Sequence, residues 1–452
     1  MKPSIPKGTR DFIPSEVYKR KYIFSIIEEV YKKYGYQPIE TPAMELLQTL
    51  TGKYGEEGDK LLFKVLNNGD YLAKADKEAL NTLDSNALIP TISKRGLRYD
   101  LTVPFARFVV MRQNDLTFPF KRYQIQPVWR ADRPQKGRYQ EFWQCDADVV
   151  GSDSLMYEAE LIQILSEVFS ALNIKVRIKI NNRKILYGIA EAFGIESQFM
   201  DMTIAIDKLD KIGKDGVVAE MTKREIPEEA AIEIIDLIQA ADLTRLVEVF
   251  QASETGIKGI KETREIMTFL RAHEALDLLD IDMTLARGLN YYTGTILEVV
   301  ADHEAYPDLV MGSLSGGGRY DNLTEVFGMK GNSGVGVSFG ADRIYDVMDS
   351  LNLYPEEVAQ ELDILLVAFD KESHQYAFRV LGELRSAGIR ADLYPDPVKM
   401  KKQMKYADAR NVPYVGIIGS DEMNSGTVAL KDMNSGSQDK ITVKEVINTI
   451  NK

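Results

Sequence analysis

FKRYQIQPVWRADRPQKGRYQEFWQCDADVVG, residues 120–151, holds two extended runs, 120–129 and 141–150, around a polar and basic connection. Such a pattern predicts an antiparallel hairpin with a long loop, which either reaches a ligand or is a plain solvent connection. From Lys121 to Arg138 the segment sets Lys121, Arg122, Arg130, Arg133, Lys136 and Arg138 against the single acid Asp132. Arginines therefore fall at the end of one strand, in the loop and near the start of the next. A polyphosphate bent into a cleft calls for this arrangement, because the planar guanidinium matches phosphate oxygens and stays charged. On the second strand Gln144, Asp146 and Asp148 alternate, so they share one face. That face either binds a small cationic or amine-bearing substrate or is the solvent side of the strand.

Outward from the hairpin, a helix is expected around residues 103–113. Nearer the start, Ser15 is a helix cap candidate, and Ile23, Ile26, Ile27, Val30 and Tyr34 recur at helical spacing up to Gly35. A short extended segment, 36–40, follows and is ended by Pro42. After about Asn182 the composition turns to Ala, Glu, Ile, Leu and Lys with helical periodicity, which predicts an inserted helical domain over 182–275. Strand character returns in 291–300 and 334–339, with a glycine-rich turn at 315–319. Beyond a linker at 352–361, the segments 364–369, 389–394 and 414–418 read as strands, and 375–387 and 399–410 as helices. Together they make a small α/β domain, 361–452, with a partly parallel sheet, and leave 1–355 as the larger domain.

The glycines of SGGGRYDNL (315–323) and SGVGVSFGADR (333–343) fit neither a P-loop nor a dinucleotide turn. Gly334, Gly336 and Gly340 on one strand instead suit a flat ring lying on the backbone, with Arg343 covering it from the next helix.

The 452 residues are 44% apolar and 27% charged, with a net charge of −12. That charge excludes a general nucleic-acid-coating protein but allows a specific RNA partner at a local basic patch. Besides the hairpin loop, Lys399, Lys401, Lys402 and Lys405 form such a patch or else a solvated face. No apolar run approaches the roughly 18 residues that span a bilayer, so no membrane association and a cytoplasmic location are expected. Cys145 is the sole cysteine, and His273, His303 and His374 are scattered. No protein metal site is predicted, and the histidines are read as structural or surface residues.

Four separated segments carry a family resemblance: KGTRDFIP (7–14), WRADRPQKGRYQEFWQCD (129–146), ARGLNYYTG (286–294) and SGVGVSFGADR. In this order, across nearly the whole chain, they resemble the histidyl-tRNA synthetases. The second and fourth look like motifs 2 and 3 shared by all class II synthetases, whereas ARGLNYYTG is specific to the histidine enzymes. Asn290 departs from the Asp that many members carry there, which puts any acid role at that position in doubt.

The resemblance implies an antiparallel class II catalytic sheet with the helical insertion, a C-terminal α/β anticodon-binding domain, and a homodimer built on a motif 1-like segment at 36–42. It implies that ATP, with Mg2+, activates histidine and that the adenylate is passed to tRNA(His). Asp100, Leu101 and Thr102 of RYDLT, with Gln144, correspond to the histidine-binding set around the α-amino group. Asp148 and Tyr292, with Tyr291 beside them, correspond to the residues that read the imidazole. Arg130 falls on the α-phosphate, Arg138 on the outer phosphates, and Phe142 and Arg343 on the two faces of adenine. Arg287 falls between the histidine carboxylate and the α-phosphate, and it forms the catalytic pair with Arg130.

Three rivals remain at this point. A histidine-binding regulatory paralogue of ATP phosphoribosyltransferase typically lacks both the anticodon domain and the arginine found here as Arg287. A class II synthetase for glycine, proline or threonine leaves ARGLNYYTG unexplained. An unassigned ATP-binding α/β protein is what composition and spacing support without the resemblance.

Overall fold

The helical spacing of Ile23, Ile27, Val30 and Tyr31 folds as α1 (Pro14–Lys33), with these four side chains buried and Gly35, at φ +77°, turning the chain away. The computed structural model describes residues 2–51, 60–286, 292–359 and 361–451. They fall into two compact units, Met1–Asp11 with Arg20–Leu353 and Phe12–Lys19 with Tyr354–Lys452. Helix α1 begins at Pro14, ahead of the expected cap Ser15, since proline's fixed φ suits a first helical position. Glu16 Oε2 there accepts the Ile13 N–H at 2.7 Å.

The larger unit is organised by an eight-stranded sheet. Its strands are β1 (Gln37–Pro38), β5 (Phe120–Trp129), β6 (Glu141–Val150), β7 (Val176–Asn182), β8 (Leu279–Ile281), β9 (Thr295–Ala301), β10 (Ser315–Tyr320) and β11 (Gly334–Gly340). Their order is β1-β5-β6-β11-β10-β9-β7-β8, antiparallel except for the parallel edge pairs β1·β5 and β7·β8. A separate small antiparallel sheet joins β2 (Met44–Leu46), β3 (Lys64–Val65) and β4 (Arg95–Leu97). It leads into helix α2 (Thr102–Arg112).

Two of these strands, β5 and β6, carry the bounds expected from the sequence, and they pair from Phe120↔Val150 to Trp129↔Glu141. One face of the sheet is apolar and covered by helices. Cys145, Ala147 and Val149 lie there, Tyr31 of α1 donates to Cys145 O at 2.7 Å, and Phe169 of α3 (Met156–Ala171) stacks 5.5 Å from Phe339. The opposite face of β6 carries the polar series Gln144, Asp146 and Asp148. All three are buried, which rules out the solvent-face alternative.

Residues 315–319, expected as a turn, are strand β10. Glycine there serves close approach: a Cβ on Gly317 would lie 2.1 Å from Gly336 O on the neighbouring strand. The region after β7 is helical, with α4 (Arg183–Ala192), α5 (Phe199–Ile206), α6 (Leu209–Thr222), α7 (Glu228–Ala240), α8 (Leu243–Val249) and α9 (Glu254–Phe269). They close around Ile189, Ile206, Met221, Ile235, Ile238 and Phe250, all buried. Each such side chain contributes about 1.5–3 kcal/mol of transfer free energy to the insertion's core. Helix α10 (Ala341–Ser350) leaves directly from β11.

In the second unit β12 (Ile364–Ala368) is buried along its length and runs parallel to β13 (Ala391–Leu393) and β14 (Tyr414–Ile418). Ile364 and Leu366 pack under α11 (Lys371–Ser386), while Leu365 and Val367 pack with Ala407 of α12 (Met400–Ala409). Helix α11 starts four residues before its expected position because Asp370 and Ser373 form a reciprocal capping box. Two antiparallel strands not anticipated, β15 (Thr427–Asp432) and β16 (Gln438–Thr442), complete the sheet, followed by α13 (Val443–Ile450).

Candidate active site

The polar face of β6 floors a cavity of about 330 Å³. Asp100, Thr102, Gln144, Asp148 and Tyr292 line it, and so do Arg130, Arg138, Phe142 and Arg343. Nine of the residues assigned to histidine or ATP by the resemblance are thereby brought together, and Asp146, Gly336 and Gly340 line the cavity with them. Leu101 is not among those lining it, being fully buried between Asp100 and Thr102. Arg287 and Tyr291, with Asn290, lie outside the described residues.

Two chemically distinct ends follow from the hairpin. Asp148 is six residues along β6 from Phe142, about 20 Å at the usual strand rise. The acidic end gathers Asp146 and Asp148, both nine-tenths or more buried, with Asp100 nearby at the start of α2, its carboxylate accepting the Val103 N–H at 3.3 Å. Burial pushes the Asp146 carboxyl up to about 7, against the pull of Arg122 and with a further push from Asp148. Asp148 is raised as well, by burial, and is held back by Arg122 and by the Tyr320 hydroxyl. Gln144 donates from Nε2 to Ser338 Oγ at 2.9 Å, and among the described residues its buried Oε1 has no hydrogen-bond partner. An acceptor so placed suits an ammonium group.

The basic end is built at the root and tip of the loop. Arg130 donates through Nε to Tyr99 O at 2.8 Å and lies 5.1 Å from the Phe142 ring centre. Arg138 closes a tight bridge with Gln135, donating its N–H at 2.9 Å. Arg343 is fixed by two carbonyls, Gly137 O at 2.8 Å from Nε and Ser313 O at 2.7 Å from Nη1. Burial first, then the charges of Arg138 and Arg130, lower its pKa, so this end of the cavity favours anions.

Of the three glycines expected to carry a flat ring, Gly336 and Gly340 line the cavity and Gly334 is not among its lining residues. A Cβ on Gly334 would lie 2.3 Å from the Tyr320 ring, and one on Gly336 would lie 2.0 Å from Asp148 Oδ1. These glycines make room for the protein's own side chains, and only Gly340 of the three stands beside Arg343.

Several residues escaped the sequence reading. Tyr320 donates its hydroxyl to Asp148 Oδ1 at 2.6 Å, and Arg122 Nη2 lies 2.7 Å from Asp148 Oδ2. The alternation Arg122, Gln124, Gln126 was a legible signal for a polar face on β5, matching that on β6. The amino-terminal KGTRD also acquires a place: Gly8 O accepts the Gln140 N–H at 2.8 Å, and Arg10 pairs with Asp342. His273 accepts the Ala275 N–H, His374 Nε2 meets Tyr394 O, and His303 is exposed.

Comparison with known proteins gives two family matches, Histidyl-tRNA synthetase over residues 8–74 and 88–344 and Anticodon binding domain over 363–452. The Histidine–tRNA ligase of Bacteroides fragilis (strain YCH46) is 54% identical, covering 100% of this chain and 99% of that protein. That of Cytophaga hutchinsonii is 51% identical, with 99% of each covered. Among solved structures, histidyl-tRNA synthetase from Nostoc sp. PCC 7120 matches with a TM-score of 0.83 at 31% identity, over 100% of this chain and 99% of that one.

Proposed function

The chain belongs to the histidyl-tRNA synthetase family and is a histidine–tRNA ligase, and from that premise we propose how its residues divide the work. The regulatory-subunit alternative is set aside by the full-length ligase relatives. The observation that carries the assignment is the two-ended cavity, acidic on the body of β6 and basic at the hairpin loop, which matches an amino acid with a free ammonium joined to a nucleotide phosphate.

Asp100, Thr102 and the Gln144 Oε1 hold the α-amino group of histidine, with Leu101 fixing the turn between the first two. Asp148 and Tyr292 read the ring nitrogens, with Tyr291 beside them. An analogue lacking those nitrogens leaves buried polar groups without partners, which discriminates strongly without editing. Arg130, anchored by Nε, meets the α-phosphate with its remaining nitrogens. Arg138 takes the outer phosphates, and adenine lies between Phe142 and Arg343. Arg287 is assigned from its motif alone, between the carboxylate and the α-phosphate.

The histidine carboxylate attacks the α-phosphorus in line and pyrophosphate leaves, so the residues act by positioning and by fixed positive charge. No covalent nucleophile is required. In the transfer step the adenylate phosphate accepts the proton of the tRNA's terminal ribose hydroxyl. Magnesium would enter with ATP and would neutralise charge on the outer phosphates; among the described residues no group of three His, Cys, Asp or Glu side chains could hold a metal ion.

Residues 1–355 serve as the catalytic domain, the insertion 182–275 covers the acceptor arm, and 361–452 binds the anticodon of tRNA(His). Exposed Lys399, Lys401, Lys402 and Lys405 on and before α12 supply phosphate contacts there. A homodimer forms through the segment 36–42, and the enzyme works in the cytoplasm; among the described residues no helix is long and apolar enough to cross a membrane. Histidine-dependent exchange of pyrophosphate into ATP, followed by charging of purified tRNA, tests the whole reading. Exchange driven by a different amino acid would overturn it.

A further inference from the structure

The register of the central hairpin sets three polar pairs across two strands: Arg122 opposite Asp148, Gln124 opposite Asp146, and Gln126 opposite Gln144. The second member of each pair lines the cavity, and the first stands behind it. Arg122 is fully buried, with Nη2 2.7 Å from Asp148 Oδ2 and 3.7 Å from Asp146 Oδ2. Its guanidinium lies 4.3 Å from the Phe105 ring centre, and Nη1 reaches Gln124 Oε1 at 3.4 Å. The other Asp148 oxygen accepts from the Tyr320 hydroxyl. The carboxylate is thus gripped at both oxygens from the protein side.

A buried ion pair is a poor means of gaining stability, since an apolar pair of similar volume generally serves as well. The sense of this one lies in what it does to Asp148. We propose that Arg122 is a positioning residue for amino-acid selection, fixing the Asp148 carboxylate, together with Tyr320, in the single orientation that meets the histidine ring. The proposal rests on the assignment of Asp148 to the ring made above.

Electrostatics support the geometry. The titratable groups around the pair are Asp146 on the same strand, Asp100 at the head of α2, Tyr36 after α1, and Tyr320 with Tyr292 beside it, while Tyr31 acts on it from the opposite face of the sheet. Burial pushes both carboxyl groups upward, and Arg122 opposes the push on each. The nearer carboxylate, Asp148, gains most from a charge that falls off with distance. Without the guanidinium, Asp148 takes up its proton at a higher pH and presents a neutral group held at one oxygen only, by the Tyr320 hydroxyl.

The test is steady-state pyrophosphate exchange by the full-length enzyme, with histidine and ATP varied separately between about pH 6.5 and about 8.5. Arg122→Gln is expected to raise the KM for histidine about tenfold or more with the KM for ATP changed less than about twofold, as befits the removal of one buried ion-pair partner. The histidine effect should grow as pH falls. Arg122→Lys keeps the charge without the planar fork, so it should show the wild-type pH profile with a histidine KM raised about threefold. Unchanged histidine KM in folded Arg122→Gln, or equal increases for both substrates, overturns the proposal. Should Arg122→Gln fail to fold, Arg122→Lys decides by the same comparison, and a histidine KM equal to wild type refutes it. Asp148→Asn separates the two layers. If it leaves the histidine KM unchanged, the ring assignment itself is wrong; if it raises that KM while both Arg122 variants do not, only the role of Arg122 fails.

Discussion

Arg10 lies with its guanidinium 3.4 Å from the centre of the Tyr139 ring, in a cation–π contact between the amino-terminal segment and the hairpin loop. The same guanidinium pairs with Asp342 and with Asp346 at 3.4 Å, both on α10, while the Tyr139 hydroxyl donates to Asp346 Oδ2 at 2.7 Å. The loop bearing Arg138 is therefore tied to the helix bearing Arg343. Both arginines are assigned to ATP, so this tie preorganises the nucleotide half of the cavity.

Arg10→Ala should then raise the KM for ATP about tenfold while leaving the KM for histidine within about twofold, because only one end of the cavity loosens. Initial rates of pyrophosphate exchange against each substrate provide the check. A parallel rise for both would mean that Arg10 holds the fold and not the loop.

Asp146 gives a pH dependence whose sign is fixed by its shift. Its folded-state pKa, about 7, exceeds the usual aspartate value, so its contribution to stability is complete below the unfolded pKa and is lost as pH rises through 7. Asp146→Asn removes that loss. The ligand-free variant should unfold a few degrees higher than wild type near pH 8, with the gap closing toward about pH 5. Calorimetric scans at both pH values measure it, and a gap that widens toward acid contradicts the assignment.

The lysines of α12 make a separate case, since the helix is held from its other side. Buried Gln403 donates to Ala368 O at 2.8 Å and to Val398 O at 2.7 Å, leaving Lys401, Lys402 and Lys405 exposed. Replacing these three by alanine should weaken tRNA binding and reduce its salt slope by about one for each phosphate no longer neutralised. Pyrophosphate exchange without tRNA should be unaffected. Equal tRNA affinity in the variant, measured at two salt concentrations, would remove the helix from the interface.

What the sequence disclosed follows from local pattern. Strands β5, β6 and β14 carry their expected bounds because apolar residues recur at strand spacing and Pro or Gly closes at least one end. Strand β16, QDKIT, went unread since it is an edge strand with mostly exposed residues and no apolar alternation to betray it. The run Gly316, Gly317, Gly318 was misread as a turn, as glycine marks close backbone approach as often as a reversal and spacing does not distinguish them. Of the cavity, β6 revealed its half by alternation, yet the pairing of Arg122 with Asp148 needs the register. The clamp from Arg10 to Asp342 spans 332 positions and belongs to tertiary structure alone.

Arg287 offers the sharpest single-residue test of the chemistry, and its role rests on the ARGLNYYTG motif. A guanidinium bridging the carboxylate and the α-phosphate does more as charge develops on the equatorial oxygens, so its removal affects turnover more than ground-state binding. Arg287→Ala should lower the maximal rate of pyrophosphate exchange about a hundredfold or more, a loss of about 3 kcal/mol in transition-state stabilisation, with the fold intact. Arg287→Lys should rescue only part of that rate, because a point charge does not bond two groups as a planar fork does. An arginine that merely supports the adjacent tyrosines would instead raise the histidine requirement and leave saturated turnover near normal. Exchange rates measured over a grid of histidine and ATP concentrations distinguish the two, and a maximal rate close to wild type would remove Arg287 from the catalytic step.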